Sequence, residues 1–157
     1  NMEPRADRRI SPNELVVIDL GCKFGGYQSD MSRNVVAGTP TDEIARMIES
    51  CQRALVVGKA AIRPGIADQA IVSAMHESIS ASGYTQWDWS ICHGYGLDLV
   101  ETPTFALSDP TTIEAGMCFY VEPMIIPPAI GAICIEDMIV VTETGFENLT
   151  PVPVEAW

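Results

Sequence analysis

The sequence contains four carboxylates and one imidazole that could bind metal ions, and three of the carboxylates lie within apolar segments. Asp19 lies inside the apolar run Val-Val-Ile-Asp-Leu, and Glu122 and Glu136 each interrupt an apolar, strand-like segment. Asp30 follows in Tyr-Gln-Ser-Asp-Met, and His93 lies in Cys-His-Gly-Tyr-Gly. An ionised carboxylate in a buried strand is costly unless a basic residue, a hydrogen-bond network or a metal ion meets it. Two divalent cations would satisfy all five side chains together, because carboxylates can bridge two metals.

Each of these residues has a simpler interpretation when it is taken alone. Aspartates near glycines, as Asp19 and Asp30 are, usually shape turns. An isolated histidine such as His93 is more often a satisfied core or loop residue than a ligand. The five together favour a metal site, because carboxylates in several separate apolar segments require one shared solution.

The first half of the chain contains the elements that must position the aspartates. Leu15–Leu20 and residues 27–36 are predicted to be extended, with Gly25-Gly26 turning the chain between them. A helix is predicted to begin after Thr41, whose hydroxyl would cap it, because apolar residues follow at helical spacing. The Arg-Pro-Gly sequence at residues 63–65 ends that helix.

The second half supplies the remaining elements. A second helix is predicted over residues 67–82, with Gly83 as its C-terminal stop. Residues 117–123 and 132–142 are rich in Val, Ile and aromatic side chains and are predicted to be strands. Because strands, helices and strands follow one another in blocks, the expected fold class is α+β.

Composition limits the class of protein. The 157 residues, 47% of them apolar, suffice for one folded domain or part of one. Nine basic and 21 acidic residues give a net charge of −12, which argues against nucleic acid as a partner. The five cysteines form no C-x-x-C pair, and we expect buried thiols in a reducing cytoplasm. The apolar runs fall short of the ~20 residues of a membrane helix, so neither a membrane partner nor secretion is expected.

The five residues lie in motifs that resemble those of the pita-bread metallopeptidases, the family of methionine aminopeptidase, aminopeptidase P, prolidase and the metal-free creatinase. The motifs V-I-D-L-G, Y-Q-S-D-M-S-R, H-G-Y-G-L, V-E-P and I-E-D occur in the family's order. Glu122 and Glu136 are 14 residues apart, a spacing similar to that of the prolidase and aminopeptidase P branch. The resemblance covers essentially residues 1–157 and implies the C-terminal part of a pita-bread catalytic domain whose N-terminal part is missing.

The resemblance also implies a role for each ligand. Asp19 would chelate the first metal, Asp30 and Glu136 would bridge both metals, and His93 and Glu122 would bind the second. A hydroxide bridging the metals would attack the scissile carbonyl, with Glu122 moving a proton and His93 counted with it as catalytic. Ligation by oxygen and a single histidine favours manganese, with cobalt, iron or zinc as alternatives. The substrate would be a short peptide cleaved next to proline, and the full-length protein would be a homodimer.

Three positions depart from the family's pattern. Val100 stands where the peptidases usually carry a second histidine, and Cys134 stands where prolidases commonly show arginine. Arg5 stands where many members have a histidine after proline. Val100 and the neighbouring Glu101 are the predicted substrate contacts, although Glu101 is as consistent with an ordinary loop carboxylate.

These departures leave three functional hypotheses open. The first is an Xaa-Pro dipeptidase or an aminopeptidase P-like hydrolase. The second is a non-peptidase member of the fold, a creatinase-like hydrolase or lyase that acts on a small molecule. The third is a non-catalytic binding module, against which the intact ligand set argues.

Overall fold

A computed structural model describes residues 6–85, 92–105, 110–127 and 129–154 of the chain. Within those residues the elements follow in chain order, two helices between two groups of strands. They are β1 (Leu15–Leu20), β2 (Lys23–Phe24), β3 (Tyr27–Gln28), β4 (Met31–Val36), α1 (Asp42–Ala61), α2 (Asp68–Ala81), β5 (His93–Gly94), β6 (Glu101–Thr104), β7 (Cys118–Val121), β8 (Met124–Ile125), β9 (Ile133–Cys134), β10 (Asp137–Val141) and β11 (Phe146–Asn148). No helix among the described residues has both the length and the apolar character needed to cross a bilayer.

Both predicted helices are confirmed, with their predicted ends. The Thr41 hydroxyl accepts a hydrogen bond from the Ile44 backbone N–H at 3.2 Å and so caps α1. Gly83 follows α2 with φ +81°, the left-handed conformation that ends helices. Gly58 of α1 allows α2 to approach closely. A Cβ atom added at Gly58 would lie only 2.7 Å from Met75 Cγ. This contact places the apolar faces of both helices in one core.

An antiparallel five-stranded sheet in the order β11-β10-β7-β5-β6 lies against α1. Phe105 and Phe119 form part of the buried core, with ring centroids 4.7 Å apart. The predicted strand at residues 117–123 is confirmed, and it corresponds to β7 (Cys118–Val121). Helices packed together beside antiparallel strands confirm the α+β class.

The predicted strand at residues 132–142 is interrupted and forms two strands, β9 and β10. The backbone N–H of Ile135 donates to Pro123 O at 3.3 Å, and that of Glu136 donates to Ser32 O at 3.0 Å. The segment that pairs with β9 and β10 is interrupted at the same level, between β7 and β8. There Pro123 has no N–H to donate. Glu122 and Glu136 both lie at this break, so they leave the regular ladder and approach each other.

The hairpin of β1 and β4 is confirmed, and its register pairs Leu15 with Val36 and Leu20 with Met31. The expectation that Asp19 is buried is wrong. In the described part of the chain β4 is the only strand hydrogen-bonded to β1, and the second half of β1 is exposed, including Leu20 at 53%. The cysteine prediction is also partly wrong, because Cys22 is exposed although all five cysteines are free thiols.

Candidate metal centre

The five predicted ligands converge from separate elements. Single ligand atoms of His93, Glu122 and Glu136 lie within 4.8 Å of one another, and so do those of Asp19, Asp30 and Glu136. Glu136 belongs to both groups, so the two clusters share one carboxylate. The hairpin of β1 and β4 contributes the aspartates, and β5 and the broken hairpin contribute the other three. The fold thus brings all five side chains into one cluster.

The backbone carbonyl of the following residue, Gly94, orients the His93 ring. The ring is buried, and its Nδ1 lies 3.1 Å from Gly94 O, which can only accept a hydrogen bond. Nδ1 therefore carries the proton, and the Nε2 lone pair faces the cluster, 4.0 Å from Glu136 Oε1. Burial lowers the pKa of the imidazole, which favours the neutral form that binds metals.

The carboxylates repel one another in the absence of a cation. Burial, with the charges of Glu122 and the two aspartates, raises the pKa of Glu136 to about 10. Burial raises the pKa of Glu122 to about 7, and the aspartates add to that shift. Although Asp19 is exposed, partial desolvation of its carboxyl and the neighbouring Asp30 raise its pKa to about 6. The cluster therefore favours either bound protons or bound cations.

The donor set fits two divalent cations. Glu136 is 1% exposed, and its Oε1 has no hydrogen-bond partner among the described residues. A buried unsatisfied carboxylate oxygen is costly, and a cation between the two groups would meet it. The eight oxygens of the four carboxylates and one imidazole nitrogen are ligands that manganese and iron accept.

Tyr120 belongs to the same site and was not identified from the sequence. Its fully buried ring meets the edge of His93 at 4.8 Å and stacks on Tyr95 at 4.5 Å. The Tyr120 hydroxyl has no hydrogen-bond partner among the described residues, and burial, with the Asp30 and Glu136 charges, raises its pKa. Strand periodicity could have found this residue, because it lies two positions before Glu122.

Cys134 contacts a ligand directly. Its buried Sγ lies 3.1 Å from Glu122 Oε1 and donates the thiol hydrogen to that oxygen. This bond lowers the pKa of Glu122 and opposes the effect of burial. Cys134 is one of the departures from the family's pattern, and this contact places that departure against one of the predicted ligands.

A model of metallopeptidase family M24 matches residues 2–143 of the chain. The chain belongs to this family. Among curated proteins it is 37% identical, over 142 residues, to an Xaa-Pro dipeptidase of Lactobacillus helveticus. Among solved structures it is similar to the prolidase of Pyrococcus horikoshii, with 34% identity and a TM-score of 0.92. It is also similar to the X-Pro aminopeptidase of Thermotoga maritima, with 27% identity and a TM-score of 0.92.

The matches cover nearly all of this chain and less than half of each relative. They span 90% of the chain and 39% of the Lactobacillus protein. For the Pyrococcus and Thermotoga structures they span 96% and 97% of the chain and 44% of each structure. The chain therefore spans about two fifths of the length of these family members and shares their pita-bread fold.

Val100 and Glu101 are the predicted substrate contacts of this family M24 chain. Neither belongs to the two ligand groups found among the described residues. Val100 is 54% exposed in the segment before β6. The Glu101 carboxylate accepts a hydrogen bond from the Asp98 backbone N–H at 2.7 Å, so it stabilises its own loop. Both substrate roles stay predictions. Arg5 lies outside the described residues.

Proposed function

We propose that the protein containing this chain is a dinuclear-metal peptidase of the Xaa-Pro type, which cleaves a peptide bond next to proline in short peptides. One observation carries the proposal: four carboxylates and one histidine form two ligand groups that share Glu136. Similarity to proteins named Xaa-Pro dipeptidase and prolidase supports the choice of substrate. Because those proteins are more than twice as long, the activity is proposed for the whole protein.

Each ligand has a role in this proposal. Asp19 would hold the first cation, His93 and Glu122 would hold the second, and Asp30 and Glu136 would be shared by both. When bound, the cations would lower the pKa of a water molecule and polarise the scissile carbonyl. Glu122 would accept the proton of the attacking water and return it to the leaving amine, the proton transfer that a carboxylate at the reacting centre can perform. We propose manganese as the native metal, with cobalt, iron or zinc as alternatives.

A turnover assay tests the proposed reaction. We expect the full-length, manganese-loaded protein to cleave a panel of X-Pro dipeptides or longer X-Pro peptides, and a chelator to abolish cleavage because the ligands alone cannot activate water. Preference for dipeptides indicates a prolidase, and preference for longer peptides indicates an aminopeptidase P-like enzyme. Absence of cleavage by protein that carries two metals per chain would contradict the proposed reaction and leave the metal centre intact.

The exposed Val100 favours one second candidate, a creatinase-like hydrolase or lyase for a small molecule. An apolar side chain cannot donate a hydrogen bond to the oxygen that becomes negative when an amide is attacked. If the protein is a peptidase that works without this donor, we expect Val100→His to raise kcat/KM on X-Pro peptides about tenfold or more. Val100→Leu is the matched control, because its side chain remains apolar and cannot donate a hydrogen bond. No gain in Val100→His would favour the small-molecule reaction.

We also propose that the whole protein is a cytoplasmic homodimer. Five free thiols, one of them exposed, are suited to a reducing compartment. The exposed apolar face of β1, with Ile18 at 39% and Leu20 at 53%, leaves surface that further protein could cover. Light scattering on the full-length protein measures the oligomeric state, and a monomeric mass would contradict the dimer.

A further inference from the structure

We propose that Arg33 and Asn34 of β4 are positioning residues, which set the place of Glu136 relative to Asp30 by gripping the backbone around Glu136. The inference rests on the metal centre of the proposed function. It concerns how that centre is built, and neither residue is one of the five ligands.

The Arg33 side chain is buried and donates to the backbone that carries Glu136. Its Nη1 lies 2.5 Å from Glu136 O and 2.8 Å from Ser32 O, and its Nη2 lies 2.6 Å from Asp137 Oδ1. A planar guanidinium holds its acceptors in fixed directions, so these bonds fix orientation as well as distance. The carboxylate that pairs with Arg33 is therefore the buried Asp137.

Backbone carbonyls of residues 152–153 accept hydrogen bonds from the other side of this guanidinium. Nη2 donates to Val152 O at 2.9 Å, and Nε donates to Pro153 O at 3.2 Å. Lys59 of α1 donates to Asp137 Oδ2 at 2.6 Å, so two cations face one buried carboxylate. Arg33 is therefore fixed on both sides and cannot follow Glu136 if that residue moves.

Asn34 provides a second, independent grip on the same backbone. It is 4% exposed, and its Nδ2 donates to Cys134 O at 2.6 Å while its Oδ1 accepts from Cys134 N at 3.2 Å. The Ser32 carbonyl between these contacts accepts from the Glu136 backbone N–H at 3.0 Å. Three consecutive residues of β4 thus hold the segment from residue 134 to residue 137.

This segment needs such a grip for two physical reasons. Glu136 lies at the break between β9 and β10, where the ladder that fixes other strand residues is interrupted. The carboxylates of Glu122 and the aspartates also repel Glu136. Asp30 lies one residue before β4. A clamp based on β4 therefore fixes both proposed bridging ligands to one strand, and the distance between two bridging ligands sets the fit of a metal pair.

The test compares metal binding by two clamp variants with that of the parent protein. Arg33→Lys keeps the positive charge beside Asp137 but cannot supply all the directed donors, and Asn34→Ala removes both bonds to Cys134. In the full-length protein we expect each variant to bind Mn²⁺ at least about tenfold more weakly in a calorimetric titration, the range found for residues that orient ligands. We also expect the electron paramagnetic resonance signal of the coupled manganese pair to change or disappear.

Lys59→Met is the matched control. It removes a cation from the same buried network but no bond to the backbone of residues 134–136, so we expect Mn²⁺ affinity within twofold of the parent. Unfolding in urea, measured on the metal-free proteins, reports stability separately. Unchanged Mn²⁺ affinity and an unchanged signal in both clamp variants would overturn the inference. Weaker binding that also appears in Lys59→Met, in step with lost stability, would overturn it as well.

These measurements remain separable from the proposed reaction. If the parent protein binds two Mn²⁺ ions but cleaves no X-Pro peptide, the reaction is wrong, and the titration and the spectrum still decide the clamp. If the clamp variants bind Mn²⁺ as the parent does while the parent cleaves X-Pro peptides, the clamp is wrong and the reaction stands. Should Arg33→Lys fail to fold, Asn34→Ala carries the decision alone, because it changes no charge.

Discussion

Asp30→Asn is expected to remove metal binding and X-Pro cleavage together. The change keeps one side-chain oxygen, which can still accept the hydrogen bond that Asp30 Oδ1 takes from the Met31 backbone N–H at 3.0 Å. It removes the negative charge that a carboxylate shared between two cations supplies. We expect Mn²⁺ affinity to fall by more than about 100-fold, beyond the range typical of residues that only orient ligands.

The metal-free form of this variant distinguishes a lost ligand from a lost fold. The Asp30 charge raises the pKa of Asp19, Glu122 and Glu136, so its removal relieves repulsion in the empty cluster. Metal-free Asp30→Asn should therefore be at least as stable in urea as the parent. Glu147→Gln is the control, because it removes one exposed charge on β11 that belongs to neither ligand group. Normal metal content and turnover in Asp30→Asn would contradict the site assignment.

The sequence predicted the parts of the fold that local chemistry determines. The cap at Thr41 and the left-handed Gly83 are properties of a few adjacent residues, so both helix ends were predictable. The clustering of the five proposed ligands was predictable for another reason: charged residues inside apolar segments need a partner, and the order of the motifs indicated that they share one. All of these predictions use patterns among residues close in sequence, so they do not require knowledge of which strands pair.

The features that the sequence did not predict depend on pairing between distant segments. The break at Glu136 forms because its N–H bonds to Ser32, about 100 positions earlier in the chain. Strand periodicity places Tyr120 on the same face as Glu122, but its contact with His93 exists because β7 lies beside β5. Asp19 is exposed because β1 pairs with a single described strand. Each outcome follows from tertiary neighbours, which a local pattern does not encode.

Metal-free protein is expected to lose stability as the pH rises above about 4.5, most steeply up to about pH 7 and further toward pH 10 as Glu136 ionises. Glu122 has an ordinary pKa of 4.5 in the unfolded chain and about 7 in the folded one, so above pH 4.5 the unfolded state ionises first. The folded state then binds more protons than the unfolded state, and the free energy of unfolding falls with rising pH. Asp19 acts in the same direction up to about pH 6. Urea unfolding in the presence of a chelator, at several pH values, measures the slope, and a rise in stability over this interval would contradict the shifts.

Metal binding should reverse this dependence, because the cations replace the protons. At pH 6 the carboxyls of Glu122 and Glu136 and half of Asp19 hold protons that binding must displace, whereas at pH 8 Glu136 holds nearly all that remain. We expect Mn²⁺ binding to release about two protons per chain at pH 6 and about one at pH 8. Calorimetry in buffers of different ionisation enthalpy counts these protons. Glu122→Gln should release about one fewer at pH 6 and the same number at pH 8, a pattern that a general change in fold would not produce. Release that does not change between pH 6 and pH 8 in the parent would mean that the cluster is already ionised before the metal arrives.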